Sequence, residues 1–232
     1  MKLQFKDKPF DVQQLFVKDG FYPYYTYQKR KILFIGREAL EIGGANYMEL
    51  LYEAYLEDNI GGITLNRYKF HYTMLYITYA IEHGEYKWNN IPYASDFISE
   101  FAQPNGISNA FMNLSKFSNE SGEWPADNDL IQTFLEASSK SQVNFFAKEI
   151  DLLSPGIIIG MNHGERMKYL GTFSSQKMYN GKDVCFQYLH TPSGKSYPYL
   201  DCWHFSSRKT FETDIFNPII EALLDNNIIT SS

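Results

Sequence analysis

Polar side chains with catalytic potential stand directly after short apolar runs of this chain. They are Arg37 and Glu38, Asn113, Asn162 with His163, and His204 with Ser206. A carboxylate in such a position orients a water molecule or stabilises a developing cation. An asparagine amide offers both a donor and an acceptor, the pair needed to read the edge of a pyrimidine or an amide-like ring. A neutral histidine donates a hydrogen bond to an oxyanion that develops on a leaving group.

Several of these residues also have a purely structural interpretation. Glu38 also fits a loop salt bridge with Arg37 or another base, and Asn113 also fits the cap of a turn at the end of its strand. Ser206 or Ser207 also fits the N-cap of a closing helix. The sequence leaves these structural alternatives open beside the catalytic ones.

The remaining histidines carry weaker signals. His163 either reaches the same crevice or is the N-terminal residue of a helix. His71 and His83 lie in a helical region, where we expect them to be packed or exposed. The motifs GxGxxG, GKS or GKT, HExxH and GxSxG are absent, so the enzyme classes that they mark have no support here.

The elements that must position these residues alternate between buried strands and helices. Strands are predicted at 31–36, 108–114, 156–161, 184–189 and 199–203, and helices at 46–58, 66–82, 127–153 and 211–224. Strand and helix in alternation imply an α/β fold of three layers, α/β/α, with right-handed crossovers between parallel strands. In such sheets ligands bind beyond the carboxyl ends of the strands, which is where the polar residues named above stand.

Length and composition indicate one domain. The chain has 232 residues, of which 44% are hydrophobic and 21% charged, an ordinary globular balance. No linker divides it, so residues 1–232 are predicted to form a single domain in which residues 1–30 wrap around the core. Aromatic residues make up 17%, which suits either a packed core or a site for a flat or sugar-like ligand.

Charge and cysteine usage restrict the partners. A net charge of -6 counts against a protein that coats DNA non-specifically, although it leaves room for a local basic groove. The two cysteines, Cys185 and Cys202, form no CxxC pair, so neither a metal site nor a disulfide framework is expected.

The first residues, MKLQFKDKPF, lack the apolar core of a signal peptide, and no apolar run approaches a membrane span. We expect a cytoplasmic protein without membrane contacts.

Four segments in this order resemble the uracil-DNA glycosylase superfamily. ILFIGREA (32–39) is similar to the family's catalytic-loop strand, and FMNLSKFS (111–118) to its asparagine-bearing strand that reads the base. LLSPGIIIGMNHGE (152–165) is similar to its third strand, and DCWHFSSR (201–208) to its His-Pro-Ser motif. LNRYKFHYTML (65–75) resembles the Asn-Arg-Phe-Trp helix of the mismatch-specific branch. The resemblance implies a uracil-DNA glycosylase-like fold with a central, mainly parallel four-stranded sheet.

The chain departs from the family pattern at several positions. Ala39 and Leu40 stand where the first motif usually has proline, and Phe205 replaces the proline of the second motif. The cysteines that hold the iron–sulfur cluster in some branches are absent, so no cluster and no other cofactor is expected. A competing second motif exists at 190–193, His-Thr-Pro-Ser. We favour His204 because a helix follows it at once.

The resemblance implies a role for each matched residue. The implied catalytic residues are Glu38 and His204, the implied base-binding residues are Gly36, Arg37, Asn113 and Tyr47, and the implied phosphate-binding residues are Ser206, Ser207 and Arg208. Tyr52 is an alternative to Tyr47 as the aromatic that stacks on the base. The implied substrate is DNA containing uracil or another damaged base, which is flipped from the stack and hydrolysed at its N-glycosidic bond.

Two other functions stay open from the sequence. A catalytically degenerate relative would bind nucleic acid or a modified base without cleaving it, which the missing prolines and the acidic charge favour. An enzyme or binding module for a nucleotide-like or sugar ligand would use the same crevice, and the aromatic content favours it equally.

Overall fold

The apolar runs of the sequence form the middle of one seven-stranded sheet in the computed structural model, which describes residues 12–121 and 126–230. The strands are β1 (Gly20–Phe21), β2 (Ile32–Gly36), β3 (Ala110–Asn113), β4 (Ile157–Met161), β5 (Thr172–Tyr179), β6 (Val184–His190) and β7 (Ser196–Cys202). They lie in the order β1-β3-β2-β4-β7-β6-β5. The four neighbours β3, β2, β4 and β7 are parallel, whereas β1, β6 and β5 pair in antiparallel fashion.

Helices cover both sides of the parallel strands β2, β3 and β4. Every residue of β2, β3 and β4 is buried, as expected for strands without a solvent-facing side. In the pairing of β2 with β3, Gly36 is the partner of Asn113. The two strands therefore end level with each other, and the residues that follow them start at the same edge of the sheet.

The helices fall into two groups, one on each face. They are α1 (Val12–Leu15), α2 (Tyr47–Leu56), α3 (Lys69–His83), α4 (Ala94–Phe97), α5 (Asn128–Lys140), α6 (Phe145–Leu153) and α7 (Asn217–Asp225). On one face Ile32 and Phe34 belong to a core with residues of α2, α3 and α7. On the other face Leu33 and Ile35 pack with residues of α5 and α6, because alternate side chains of a strand point to opposite faces. The predicted α/β class is confirmed.

The sheet is larger than the predicted four strands. The hairpin strand β5 was missed because six of its eight residues are exposed, so it has no apolar pattern. Its pairing with β6 is also irregular: the register shifts between Ser174 and Lys177, and Ser175 has a φ of 61°. A turn at 179–182 connects β5 to β6, with positive φ at Asn180 and Gly181.

The single helix predicted over 127–153 is wrong. The structure has α5 and α6 there, separated by residues 141–144. Asn144 begins α6 as its N-cap, because its side chain accepts a hydrogen bond from the backbone N–H of Ala147 at 3.1 Å. The side chain of Ser138 also donates to Asn144 at 2.9 Å, which fixes the corner.

Of the predicted N-terminal wrap at 1–30, the structure describes residues 12–30, and part of this segment belongs to the sheet. Residues 1–11 lie outside the described part of the chain. Of the remainder, β1 joins the sheet as an antiparallel edge strand beside β3, with Gly20 opposite Phe111. This pairing brings Asp19 close to the end of β3, where it becomes relevant to the site.

In the part of the chain that the structure describes, every helix falls short of the length and apolar character required to cross a bilayer.

Candidate functional site

A cavity of about 240 Å³ lies at the carboxyl ends of β2, β3 and β7. Its wall contains every residue that the sequence predicts as catalytic or base-binding and one of the three predicted phosphate ligands: Gly36, Arg37, Glu38, Tyr47, Asn113, His204 and Ser206. The remaining wall is mostly aliphatic and aromatic and comes from the loop after β2, from β3, from α2 and the segment after it, and from the start of α3. A few polar groups among mostly apolar lining residues are the usual composition of a small-molecule site.

Two larger depressions of the described surface lack this concentration of functional groups. One, of about 710 Å³, lies between β5 and α7, and another, of about 440 Å³, lies beside β6 and the end of β4. In the 240 Å³ cavity, by contrast, Arg37 Nε, Glu38 Oε2 and both amide atoms of Asn113 are buried without a hydrogen-bond partner among the described residues. Buried polar atoms are rarely left without partners, so this concentration marks a place for a ligand.

Asn113 ends β3 and is 2% exposed. Its backbone N–H donates to Asp19 Oδ2 at 2.7 Å, while neither atom of its amide is bonded within the described chain. The turn-capping alternative therefore does not describe this side chain. A buried amide with a free donor and a free acceptor is ready to pair with a ligand that offers the complementary edge.

Glu38 is held from one side only. Its Oε1 accepts hydrogen bonds from Asn119 Nδ2 and from the backbone N–H of Asp127, both at 2.9 Å. Asp127 is the N-cap of α5, so the carboxylate also lies at the positive end of that helix. Burial raises the pKa of Glu38, while these two hydrogen bonds oppose the rise. Oε2 stays free to hold a water molecule, and the salt bridge with Arg37, the structural alternative for Glu38, is not formed.

His204 follows β7 and is neutral at physiological pH. Burial lowers its pKa to about 4, and the positive charge of Arg37 adds to the effect. Its Nδ1 accepts a hydrogen bond from the backbone N–H of Ser206 at 3.2 Å. In a neutral imidazole the proton is then on Nε2, which is available as a donor. The ring also lies against Phe70, with 5.6 Å between the ring centroids.

Arg37 extends from the end of β2 towards β4. Its Nη2 donates to the carbonyl of Asn162 at 3.1 Å, and Asn162 has a φ of 60°, a left-handed conformation that presents this carbonyl after β4. Burial lowers the pKa of Arg37, and the charge of Arg166 lowers it further. The guanidinium thus contributes positive charge to a partly dehydrated cavity.

Aromatic rings form one side of the cavity. Tyr47 packs on Phe111 with 5.2 Å between ring centroids, and Phe70 contacts Phe111 edge to face at 6.2 Å. Gly36 leaves the space for this arrangement, since a Cβ there would come within 2.6 Å of the Phe111 ring and 2.8 Å of Asn113 Oδ1. Tyr52, the alternative stacking residue, lies outside the cavity wall and contacts Phe101 instead.

The predicted phosphate ligands are only partly brought to the site. Ser206 lines the cavity and is exposed, whereas Ser207 and Arg208 are not part of its wall. Lys69 Nζ donates to the carbonyl of Ser207 at 2.7 Å, which ties this loop to the start of α3. Neither serine is the N-cap of the closing helix, because the helical segment Glu212–Phe216 precedes α7 and begins after Phe211.

Two other histidines of the sequence analysis have structural positions. His163 is 2% exposed, and its Nε2 donates to the carbonyl of Ile35 at 2.7 Å. This hydrogen bond connects the segment after β4 to the backbone of β2. It is also the N-cap of a short 3₁₀ helix, Gly164–Tyr169. His190 pairs with Ser196 at the start of β7, the sheet edge opposite His204. The competing motif at 190–193 therefore lies away from the cavity.

Sequence reasoning missed the residues that hold the predicted ones. Asn119 and Asp127 fix Glu38, Asp19 contacts Asn113, and His71 lines the cavity while its Nδ1 bonds with the Tyr55 hydroxyl at 2.8 Å. None of them follows a strand of the parallel set, which was the signal used. Their positions depend on contacts between distant segments.

Within residues 12–121 and 126–230, no group of three or more His, Cys, Asp or Glu side chains is placed to hold a metal ion. Comparisons of the chain with protein-family models, with curated proteins and with solved structures found no match. Membership of the uracil-DNA glycosylase superfamily therefore stays a prediction, which rests on the sequence segments and on the cavity that they form.

Proposed function

We propose that this protein is a DNA-base glycosylase of the uracil-DNA glycosylase superfamily, which hydrolyses the N-glycosidic bond of a flipped uracil or related damaged base. The observation that carries the proposal is the Asn113 amide, buried with both atoms unpartnered in a cavity that also holds Glu38 and neutral His204. This reaction requires an amide that pairs with the edge of the base, a carboxylate, and an imidazole that donates a hydrogen bond, all within one cavity.

The topology supports the same proposal. The four segments that resemble the family correspond to β2, β3, β4 and β7, which are the four neighbouring parallel strands of the sheet. We infer a three-layer uracil-DNA glycosylase-like core of these four strands, to which the antiparallel strands β1, β5 and β6 are added at the two sides. Active sites of parallel sheets lie at the carboxyl ends of the strands, as this cavity does.

In the proposed reaction the flipped base enters the cavity and pairs through its edge with the Asn113 amide. The bond between C1′ of the sugar and the base nitrogen breaks, and its electron pair leaves with the base. Oε2 of Glu38 stabilises the sugar cation and orients the water whose oxygen bonds to C1′. The proton that this water loses passes through Glu38 and finally neutralises the base.

His204 acts on the leaving group. Because its Nδ1 accepts from Ser206 N–H, the Nε2–H group is the donor towards a base oxygen on which negative charge develops. An imidazole of low pKa donates this hydrogen bond without carrying a charge itself. Ser206, at the exposed rim of the cavity, is placed to contact a phosphate of the bound strand.

The test is base release from an oligonucleotide that carries one labelled uracil, presented opposite guanine, opposite adenine and single-stranded. We expect abasic sites with the native protein and a loss of about 10³-fold or more with Glu38→Gln, which keeps the shape and removes the charge. Glu41→Gln is the matched control, because Glu41 is an exposed carboxylate of the same loop. His204→Gln is compared with His190→Gln at the opposite sheet edge in the same way.

Other outcomes favour other functions. Binding of the uracil oligonucleotide without release on any of the three substrates would favour the non-cleaving relative, which the net charge of -6 and the missing prolines also suit. Binding of free nucleotides alone would favour the small-ligand module. Release that persists in Glu38→Gln would contradict the assigned role of the carboxylate.

A further inference from the structure

Arg37 has an unusual environment for an arginine. Its Nε–H is buried and has no partner, and the one hydrogen bond that its guanidinium makes within the described residues goes to the neutral carbonyl of Asn162. Arg37 is not among the described residues that form an ion pair with a carboxylate. Half-buried cations are normally paired, because removing charge from water is costly.

The neighbouring carboxylate does not neutralise this arginine. Glu38 follows it directly in sequence, yet Glu38 Oε1 is used by Asn119 and the backbone of Asp127. Asp201, the other acid whose charge acts on Arg37, accepts hydrogen bonds from the backbone N–H groups of His163 and Gly164 at 2.9 and 2.8 Å. The guanidinium therefore offers an N–H donor and a positive charge to whatever occupies the cavity.

The anchoring of Arg37 is rigid enough for such a role. The carbonyl of Arg37 accepts the N–H of Ser115 at 2.8 Å, which extends the pairing of β2 and β3 beyond the strands. At the other end, Asn162 is fixed at the end of β4 by its left-handed backbone. An arginine anchored by its backbone carbonyl and by Nη2 presents its planar guanidinium to a carbonyl-type oxygen in a defined direction.

We propose that Arg37 directly binds the negative charge that collects on the base as the glycosidic bond breaks, so that the cavity prefers bases in their anionic form. This assignment rests on the proposed function and adds a charged contact to the uncharged hydrogen bond of His204. The electron pair of the broken C1′–N bond moves onto the base ring and its oxygens, and the guanidinium stabilises that anion in a cavity of low polarity.

The first experiment measures binding alone and does not require catalysis. Calorimetric titration at neutral pH compares free uracil, which is neutral, with free 5-nitrouracil, which is ionised, and with 5-fluorouracil between them. We expect the native protein to bind the ionised base about 10- to 100-fold more tightly than uracil. In Arg37→Met this preference disappears. Arg166→Met is the matched control, because Arg166 acts electrostatically on Arg37 without lining the cavity.

The second experiment measures single-turnover release of the same bases from oligonucleotides. Arg37→Met is expected to slow release of uracil by about 10²- to 10³-fold. Release of the more acidic 5-fluorouracil should fall less, because its anion needs less stabilisation. The rate of release should therefore depend more steeply on the acidity of the leaving base in Arg37→Met than in the native protein. A general loss of structure would instead slow the release of all bases equally.

The outcomes separate this inference from the proposed function. Equal preference for 5-nitrouracil in Arg37→Met and in the native protein would overturn the role of Arg37, whatever the protein does to DNA. Anion preference that depends on Arg37, without base release from any oligonucleotide, would refute the glycosylase proposal and leave the anion site in place. An equal rate loss for all leaving groups would reduce Arg37 to a structural residue.

Discussion

At the scale of single residues, two of the buried asparagines in the described part of the chain, Asn109 and Asn113, have opposite environments. Asn109 is 3% exposed and its amide donates to Thr78 Oγ1 at 3.1 Å, whereas Asn113 is 2% exposed and its amide has no partner. A buried amide without hydrogen bonds lowers stability, because it has lost water and gained nothing in return. Asn113 is best explained by a ligand that supplies the missing partners.

This contrast predicts different results for the same substitution. Asn113→Leu should leave the free energy of unfolding unchanged or raise it by about 1 kcal/mol, since it removes an unsatisfied amide at similar volume. Base release should fall by about 10²-fold or more. Asn109→Leu should instead lower stability by about 1 to 3 kcal/mol, because the buried Thr78 Oγ1 loses the hydrogen bond that it accepts from Asn109. Urea unfolding of both variants checks this, and equal destabilisation would contradict the ligand role of Asn113.

The sequence was informative about residues that follow strands and uninformative about residues that support them. Glu38, Asn113 and His204 were predicted from one rule, that functional groups follow the carboxyl ends of parallel strands. Asn119 and Asp127 obey no such rule, since their contact with Glu38 crosses more than eighty positions of the chain. Contacts of this kind depend on loop geometry, which residue patterns do not encode.

At the scale of elements, a buried charge cluster joins three segments beneath the end of β3. Lys116 Nζ bonds to Asp19 at 2.7 Å and to Glu149 of α6 at 2.9 Å, and the side chains of Lys116 and Asp19 are 10% and 4% exposed. The second oxygen of Asp19 accepts the N–H of Asn113. The cluster therefore connects the edge segment, α6 and the residue proposed to read the base.

Removing the lysine should be costly. Lys116→Met leaves two carboxylates buried together without a cation, and we expect it to lower the free energy of unfolding by about 3 to 5 kcal/mol. Lys148→Met, an exposed lysine of the same helix as Glu149, should change stability by less than about 0.5 kcal/mol. Thermal unfolding of both variants provides the comparison. Similar melting temperatures would mean that the cluster contributes no net stability.

The strands and helices could be predicted where the pattern of apolar residues in the sequence reflects their burial, and not elsewhere. The strands β2 and β4 read as continuous apolar runs because both their faces are covered. The edge strand β5 carries exposed residues, and its place in the sheet comes from pairing with β6. The break between α5 and α6 depends on Asn144 as an N-cap, a short signal that the surrounding helical pattern outweighed.

At the scale of the whole molecule, burial lowers the pKa of three of the five histidines. These are His71, His163 and His204, which come from α3, the segment after β4 and the segment after β7. All three contact the cavity or the strand beneath it. The proposed site is thus surrounded by three imidazoles that are neutral in the folded protein. Acid is expected to destabilise the fold, because the unfolded chain binds protons at these histidines more readily than the folded chain does.

His71 makes this dependence measurable. Burial lowers its pKa from 6.5 to about 3, so as the pH falls below about 6.5 the unfolded chain binds a proton that the folded chain excludes. The stability contributed by this histidine is complete above that pH and is lost as the pH falls towards about 3. By about pH 4.5 the loss through His71 alone should reach roughly 2 to 3 kcal/mol.

Urea unfolding at about pH 7 and about pH 4.5 provides the test. His71→Phe should be less stable than the native protein at the higher pH, because the Tyr55 hydroxyl loses its hydrogen bond with the imidazole, but its stability should fall less between the two conditions. His83→Gln, at an exposed position of the same helix, should leave the difference between the two conditions as it is in the native protein. If His71→Phe loses as much stability between the two pH values as the native protein, other groups of the cavity cause the loss. His204 would then be the next residue to replace.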